Sequence, residues 1–108
     1  MFRILKTDEF DRLYNKLDNS EQKRLNKIKN QLSEKGDVIG KPLSGLEFFR
    51  EKRFNGKRIY YLVYKEFNII FVIAISDKKA QQSTINKILM NLNDYKKHIR
   101  NFLKNNQN

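Results

Sequence analysis

The chain has 108 residues, which is enough for one domain with a modest core, and we expect a single domain over residues 1–108. Its 23 lysines and arginines exceed its 12 aspartates and glutamates, so the formal net charge is +11 and favours an anionic partner: nucleic acid, a membrane surface or an acidic protein. The absence of cysteine excludes disulfides, zinc–thiolate sites and thiol catalysis. No apolar run approaches the roughly 20 residues of a membrane span, and the N-terminus turns polar too soon for a signal peptide. We therefore expect a soluble cytoplasmic protein that is not inserted in a membrane.

The first third of the sequence predicts a short strand and two helices. Residues 1–6 alternate weakly between apolar and polar, and Thr7 then provides a helix N-cap. The first helix carries apolar residues at helical spacing, namely Phe10, Leu13, Tyr14 and Leu17. Ser20 is a candidate cap for a second helix that carries Leu25, Ile28 and Leu32 and ends near Gly36. A tight break between them predicts an antiparallel helical hairpin.

The remainder predicts a loop, three strands and one long helix. Residues 36–46 hold three of the four glycines and the only proline, which is typical of a loop. Residues 60–64 and 69–75 are apolar on both faces and should be central strands, whereas residues 47–54 are more charged and should lie nearer an edge. An apolar stripe predicts one long helix from about Ala80 to Leu103. The order β-α-α-β-β-β-α indicates an α+β domain: a three-stranded antiparallel meander with helices on one side of the sheet.

A hairpin turn at Asn55-Gly56 fixes the relation between two arginines. Asn-Gly favours the two-residue type I′ turn, in which both central residues have positive φ. Such a turn places Arg53 opposite Arg58 on the neighbouring strand. Because two opposed guanidinium groups repel, the pair must be open to water or shaped to hold an anion.

Further cations lie on the predicted strands or at their ends. For Arg50, Lys52 and Lys65 we favour charge that keeps an edge strand soluble, whereas for the arginine pair we favour anion binding. Lys78 and Lys79 follow the last strand and would lie close to the pair if that strand neighbours the hairpin. His98 is the only histidine and is interpreted as a solvent-exposed helix residue. The sequence therefore predicts no metal site, no catalytic triad, no phosphate-binding glycine loop and no cofactor.

Two segments resemble a known superfamily of toxins. Gly40-Lys41-Pro42-Leu43-Ser44-Gly45-Leu46, followed by Arg53-Phe54-Asn55-Gly56-Lys57-Arg58-Ile59-Tyr60-Tyr61, is similar to the "G-K-P-L-x-G-L" and "R-V-G-D-Y-R-V-I-Y" segments of the RelE/ParE toxins of toxin–antitoxin pairs. The resemblance extends over nearly the whole chain and implies the same order of elements.

The RelE branch of that superfamily, which we favour, implies a ribosome-dependent, metal-independent mRNA endoribonuclease acting in the ribosomal A site. Arg58 would then clamp the phosphate in the transition state, Arg53 would bind or orient it, and Lys78 would serve similarly. Further RNA contacts would come from Arg50, Lys52, Lys57 and Lys79. The resemblance also implies a cognate antitoxin, which we expect to be acidic and to fold on binding.

One departure from the RelE pattern keeps two alternatives open. Catalytic members usually carry a tyrosine shortly after the basic residue that follows the last strand, whereas this chain has Gln81 and Gln82 there, and Tyr95 fits the apolar stripe. The first alternative is a ParE-like toxin that poisons DNA gyrase. The second is a basic nucleic-acid-binding domain without catalysis, which would be a degenerate toxin.

Overall fold

The computed structural model of the protein describes residues 1–106 and confirms the α+β class. One five-stranded sheet has the strand order β1-β5-β4-β3-β2. The elements in chain order are β1 (Arg3–Lys6), α1 (Asp8–Asn15), α2 (Asn19–Lys35), β2 (Lys41–Leu43), β3 (Leu46–Phe54), β4 (Lys57–Tyr64), β5 (Ile69–Asp77), α3 (Gln81–Met90) and α4 (Leu92–Asn105). A 3₁₀ turn over Lys65–Phe67 joins β4 to β5. In this part of the chain, no helix is both long and apolar enough to cross a membrane.

Strands β4 and β5 form the centre of the sheet, as predicted. Every residue of β4 after Lys57 is buried, and so is every residue of β5 before Asp77. The meander β3-β4-β5 is antiparallel, but β1 pairs with β5 in parallel, with Arg3 beside Ile69. Because the whole chain from α1 to β4 separates β1 from β5, no tight turn forces these two strands to run in opposite directions.

Helices cover both faces of the sheet, so the prediction that they lie on one side is wrong. The side chains of α1 and α2 pack on one face, where Leu25 and Ile28 meet Tyr61 and Val72. Helices α3 and α4 pack on the other face, which contains Phe71. Since β4 and β5 carry large apolar residues in both alternating sets, a helical layer on a single side would leave one set in water.

Two further expectations are corrected in local detail. The predicted loop over residues 36–46 contains the short edge strand β2, which pairs with β3. The predicted single C-terminal helix is divided into α3 and α4 at Asn91, whose side-chain amide donates to the Lys87 carbonyl at 2.7 Å. An asparagine side chain that bonds the backbone in this way competes with the helical hydrogen-bond pattern, which hydrophobic spacing alone does not reveal.

Both N-terminal helices begin at side-chain caps. The Thr7 hydroxyl accepts from the Phe10 amide at 3.0 Å, as predicted. Helix α2 is capped by Asp18 rather than by Ser20. The Asp18 carboxylate accepts from the Glu21 amide at 2.8 Å, while the Glu21 carboxylate accepts from the Asp18 amide at 3.1 Å. This reciprocal pair satisfies two amides that would otherwise be free at the helix start.

Candidate functional site

The hairpin between β3 and β4 has the geometry that the sequence predicts. Asn55 and Gly56 both have positive φ, 47° and 76°, as a type I′ turn requires. The register therefore places Phe54 opposite Lys57 and Arg53 opposite Arg58. Arg53 and Arg58, the arginine pair, project from the sheet face that α3 and α4 cover farther along, because they alternate with Phe54 and Ile59 of the other face.

The two members of the arginine pair differ in their surroundings. Arg53 is exposed, whereas Arg58 is only 4% exposed. The Nε atom of Arg58 is buried and has no hydrogen-bond partner within residues 1–106. A buried donor without a partner costs roughly 1–3 kcal/mol, and more when it is charged. The fold thus holds a buried guanidinium group with one donor that has no acceptor among these residues.

The arginine pair lines a surface concavity of about 340 Å³ at the hairpin end of the sheet. Five cationic side chains contribute to this arginine concavity, and its remaining lining is Phe54, Asn55 and Gly56; the five are Arg24, Arg53, Lys57, Arg58 and Lys78. Lys57 also pairs with Glu21 at 3.1 Å. A concavity lined by cations and without a lining carboxylate favours a polyanion over a neutral or cationic ligand.

Four of the seven residues singled out in the sequence meet in this concavity: Arg53, Lys57, Arg58 and Lys78. Lys79 is exposed beside Lys78 but does not contribute to the lining. Lys52 is half-buried and, because neighbouring residues of a strand alternate, belongs to the opposite face of the sheet from Arg53. Arg24 was missed because only the packing of α2 against the sheet brings it to the hairpin.

The guanidinium group of Arg50 is buried and hydrogen-bonded within the fold, so it is not free to bind a ligand. It is 5% exposed, and its Nε donates to the Ile39 carbonyl at 2.9 Å. Its Nη1 donates to the Glu47 carbonyl at 3.1 Å and its Nη2 to the Gly40 carbonyl at 3.3 Å. The bonds to Ile39 and Gly40 fasten the segment before β2 to β3, and the bond to Glu47 lies within β3. The expected RNA contact of Arg50 does not fit this geometry.

A buried polar cluster adjoins the arginine pair on the same face of the sheet. This Glu51 cluster consists of Glu51, Tyr60, Ser76 and Gln81. The Gln81 amide nitrogen lies 3.2 Å from each Glu51 carboxylate oxygen, and the Tyr60 hydroxyl and the Ser76 hydroxyl share a hydrogen bond of 2.7 Å. Glu51 lies opposite Tyr60, and Ser76 lies opposite Arg58. Arg58 is thus flanked by Arg53 on one strand and by Ser76 on the other.

The surroundings of Tyr60 keep its hydroxyl neutral. Burial raises the pKa of Tyr60, the hydrogen bond with Ser76 and the charge of Arg58 lower it, and the negative charge of Glu51 raises it further. No sequence pattern predicts this cluster, because Glu51 stands in a run of charged residues that resembles a solvated strand, and Gln81 was noted only where a tyrosine was expected.

A larger groove of about 510 Å³ lies between α1, β5 and α3. Its rim mixes acidic and basic side chains, and Lys87 and Glu9 form an ion pair across it at 2.7 Å. The cationic charge of the arginine concavity is therefore not repeated here. Within the described residues, no three histidine, aspartate or glutamate side chains lie close enough together to hold a metal ion.

Comparison with solved structures gives the fold a name. The isolated RelE toxin of E. coli is similar over 82% of this chain and 99% of its own, with a TM-score of 0.65 and 17% sequence identity. RelE in the intact E. coli RelBE toxin–antitoxin complex is similar over 71% and 96%, with a TM-score of 0.65 and 19% identity. The RelBE2 toxin–antitoxin complex of Mycobacterium tuberculosis is similar over 71% and 98%, with a TM-score of 0.63 and 18% identity. No protein-family model and no curated protein sequence matches the chain. The chain has the RelE-like toxin fold.

Proposed function

We propose that this protein is the toxin of a type II toxin–antitoxin system and that it cleaves mRNA on the ribosome without a metal ion. The observation that carries the proposal is the arginine pair, in which the buried Arg58 has an unpartnered Nε and opposes Arg53 at a cationic concavity. A phosphodiester bound there would accept hydrogen bonds from both guanidinium groups and would relieve their mutual repulsion.

The attacking group in the proposed cleavage belongs to the RNA itself. The 2′-hydroxyl of the RNA attacks the adjacent phosphorus, the bond from phosphorus to the 5′ oxygen breaks, and a 2′,3′-cyclic phosphate and a 5′-hydroxyl result. Negative charge accumulates on the phosphoryl oxygens during this step. Arg58 and Arg53 would stabilise that charge, with Lys78 beside them, and one well-placed donor of this kind contributes about 10²–10³-fold in rate.

The charge of the protein suits a site that is walled by RNA. A net charge of +11 draws the chain toward ribosomal RNA, and each phosphate that is neutralised releases condensed counterions. Arg24 and Lys57 would contact phosphates next to the scissile one, while Lys52 and Lys79, outside the concavity, would contact flanking RNA. Binding to the ribosome should therefore weaken steeply as salt is added.

The proposed partner in the cell is an acidic antitoxin. Two of the similar structures are toxin–antitoxin complexes, one from E. coli and one from Mycobacterium tuberculosis. A chain with this excess of cations would attract an acidic segment, and such a segment over the arginine concavity would block access of RNA.

A second candidate is a ParE-like toxin that acts on DNA gyrase. It is favoured by the first turn of α3, where Gln81 and Gln82 occupy the position at which a tyrosine is expected of RelE nucleases. The nearest later tyrosine, Tyr95, is half-buried and packs edge-on against the core residue Phe71 with a ring-centroid distance of 6.0 Å. The buried Arg58, whose Nε has no hydrogen-bond partner within residues 1–106, argues for the RNA-cleaving toxin instead. A basic domain that binds nucleic acid without cutting it is the remaining alternative.

Primer extension on a defined message in a cell-free translation reaction tests the proposal. The wild-type protein should produce cuts inside codons that appear only when ribosomes are present. Arg58→Ala should reduce the cutting at least about 100-fold, as expected for a lost transition-state donor. Arg100→Ala removes an exposed arginine from α4 and should leave cutting within about twofold, since single surface charges contribute little. Intact message with the wild-type protein would rule out the nuclease, and inhibition of DNA gyrase by the same preparation would then identify the second candidate.

A further inference from the structure

Glu51 is an acidic residue in an unexpected environment. It is 2% exposed, and within residues 1–106 its carboxylate forms no ion pair. Six other carboxylates each pair with a lysine or arginine, and all of those carboxylates keep at least 15% of their side-chain surface exposed. Burying a carboxylate without an ion-pair partner is costly, and glutamate is rarely buried unless it is paired.

The sheet register places Glu51 next to the arginine pair, outside the lining of the arginine concavity. Glu51 and Arg53 lie two residues apart on β3, so their side chains project from the same face. Glu51 is opposite Tyr60 and Arg53 is opposite Arg58, which makes Glu51 and Arg58 diagonal neighbours. Diagonal side chains in a sheet are about 7–8 Å apart at their backbones and within reach of one another when they are long. In a reactive RNA conformation the 2′ oxygen lies about 3–3.5 Å from the phosphorus it attacks.

We propose that Glu51 is the general base of this site, an inference that rests on the RNA cleavage proposed above. The Glu51 carboxylate takes the proton of the 2′-hydroxyl as the 2′ oxygen forms its bond to phosphorus. The bond from phosphorus to the 5′ oxygen breaks at the same time, and the departing 5′ oxygen takes a proton from water. Glu51 then returns its proton to water, so the protein is unchanged at the end of the cycle.

The hydrogen bond from Gln81 is compatible with this role. Its amide nitrogen is shared between the two carboxylate oxygens, at 3.2 Å from each. A carboxylate offers about four lone-pair sites, so an amide hydrogen shared in this way leaves acceptor capacity for a substrate hydroxyl. Gln81 is neutral, so it orients the carboxylate through a hydrogen bond without forming an ion pair with it.

Glu51→Gln tests the assignment, because it preserves the shape of the side chain and removes the proton acceptor. Single-turnover cleavage should be measured with ribosomes that carry a defined message with one codon in the A site, alongside the equilibrium affinity of the protein for the same ribosomes. General acid–base groups contribute about 10²–10⁴-fold, so cleavage should fall at least about 100-fold while affinity stays within about twofold. Glu47→Gln is the matched control: it makes the same change on the same strand, at a carboxylate that is 91% exposed, and should cleave like the wild type.

A second variant separates proton transfer from support of the structure. If Glu51 served only to hold Gln81, the Gln81→Ala variant would lose as much cleavage activity as the Glu51→Gln variant. If Glu51 is the base, the Gln81→Ala variant should cleave within about tenfold of the wild-type rate. Glu51→Gln should also unfold at the same temperature as the wild type or a higher one, since it removes a buried charge that lacks an ion-pair partner. Glu51→Asp keeps a carboxylate on a shorter stem and should cleave at an intermediate rate.

The outcomes separate the assignment from the function on which it rests. Wild-type cleavage with near-normal cleavage by Glu51→Gln would overturn the assignment of Glu51 alone. Equal losses in Glu51→Gln and Gln81→Ala, or a loss of ribosome affinity that accounts for the lost cleavage, would also overturn it. Absence of cleavage by the wild-type protein would overturn the proposed function, and the assignment of Glu51 with it.

Discussion

Replacement of Arg58 by methionine should make the protein more stable. The side chain is 4% exposed, its Nε has no partner among residues 1–106, and Arg53 stands directly opposite. A buried unsatisfied donor costs roughly 1–3 kcal/mol, and an opposed like charge adds roughly 0.2–1 kcal/mol. Methionine keeps an unbranched stem that can fill the same space and removes both unfavourable contributions.

The resulting gain in the free energy of unfolding is about 1–4 kcal/mol. At roughly 4–8 °C per kcal/mol for a domain near this size, Arg58→Met should raise Tm by at least about 4 °C. Circular dichroism at 222 nm in low-salt buffer measures that shift. Inorganic phosphate should stabilise the wild type, by about 0.4 kcal/mol when its concentration equals Kd, and should have a smaller effect on Arg58→Met.

Arg53→Met is the matched control for this experiment. It relieves the same opposition of charges, but Arg53 is exposed, so its gain should stay below about 1 kcal/mol. A lower Tm for Arg58→Met than for the wild type would show that the guanidinium stabilises the free protein. The idea that this group is reserved for an outside anion would then be refuted.

Two further predictions concern the segment that precedes β2. Arg50→Ala should lower the free energy of unfolding by about 3 kcal/mol or more, because charged hydrogen bonds to the Ile39, Gly40 and Glu47 carbonyls are lost together. Urea titration measures this change, and a change below about 1 kcal/mol would contradict the structural role of Arg50. Burial raises the pKa of Tyr61 to about 12, and its hydroxyl donates to the Ile39 carbonyl at 2.7 Å. Above pH 10 the unfolded chain loses this proton before the folded one does, so stability should fall by up to about 1.4 kcal/mol per pH unit between pH 10 and about 12. Tyr61→Phe should decline less steeply over that range, and identical slopes would contradict the assignment.

The sequence was sufficient to predict the features of the fold that depend on residues close together in the chain. The Asn55-Gly56 turn specifies its own dihedral angles, and a two-residue loop leaves one register, so the opposition of Arg53 and Arg58 could be predicted from residue spacing. The central position of β4 and β5 followed from their lack of polar alternation. The same lack of alternation indicates that both faces of the sheet are covered, and the prediction of helices on one side did not take this into account.

The rest of the candidate site depends on contacts between elements that are distant in sequence. Arg24 reaches the hairpin only because α2 packs on the sheet, and Gln81 reaches Glu51 across 30 positions. Arg50 is the reverse case, a residue that sequence reasoning included among the functional residues and that the folded chain uses structurally. Its charge and its position on a strand suggested a solvent-facing cation, but only the folded chain reveals the three carbonyls to which it donates.

The parallel pairing of β1 with β5 has a consequence for the order in which the molecule assembles during synthesis. Residues 3–6 leave the ribosome before the rest of the sheet, and within residues 1–106 the strand that pairs with them is residues 69–72. Until β5 has been made, the sheet lacks a central strand and β1 has nothing to pair with. Pairing over such a separation in sequence is slow to form. The Glu51 cluster, whose last member is residue 81, is completed later still, so the nascent chain carries the arginine pair well before it carries the finished site.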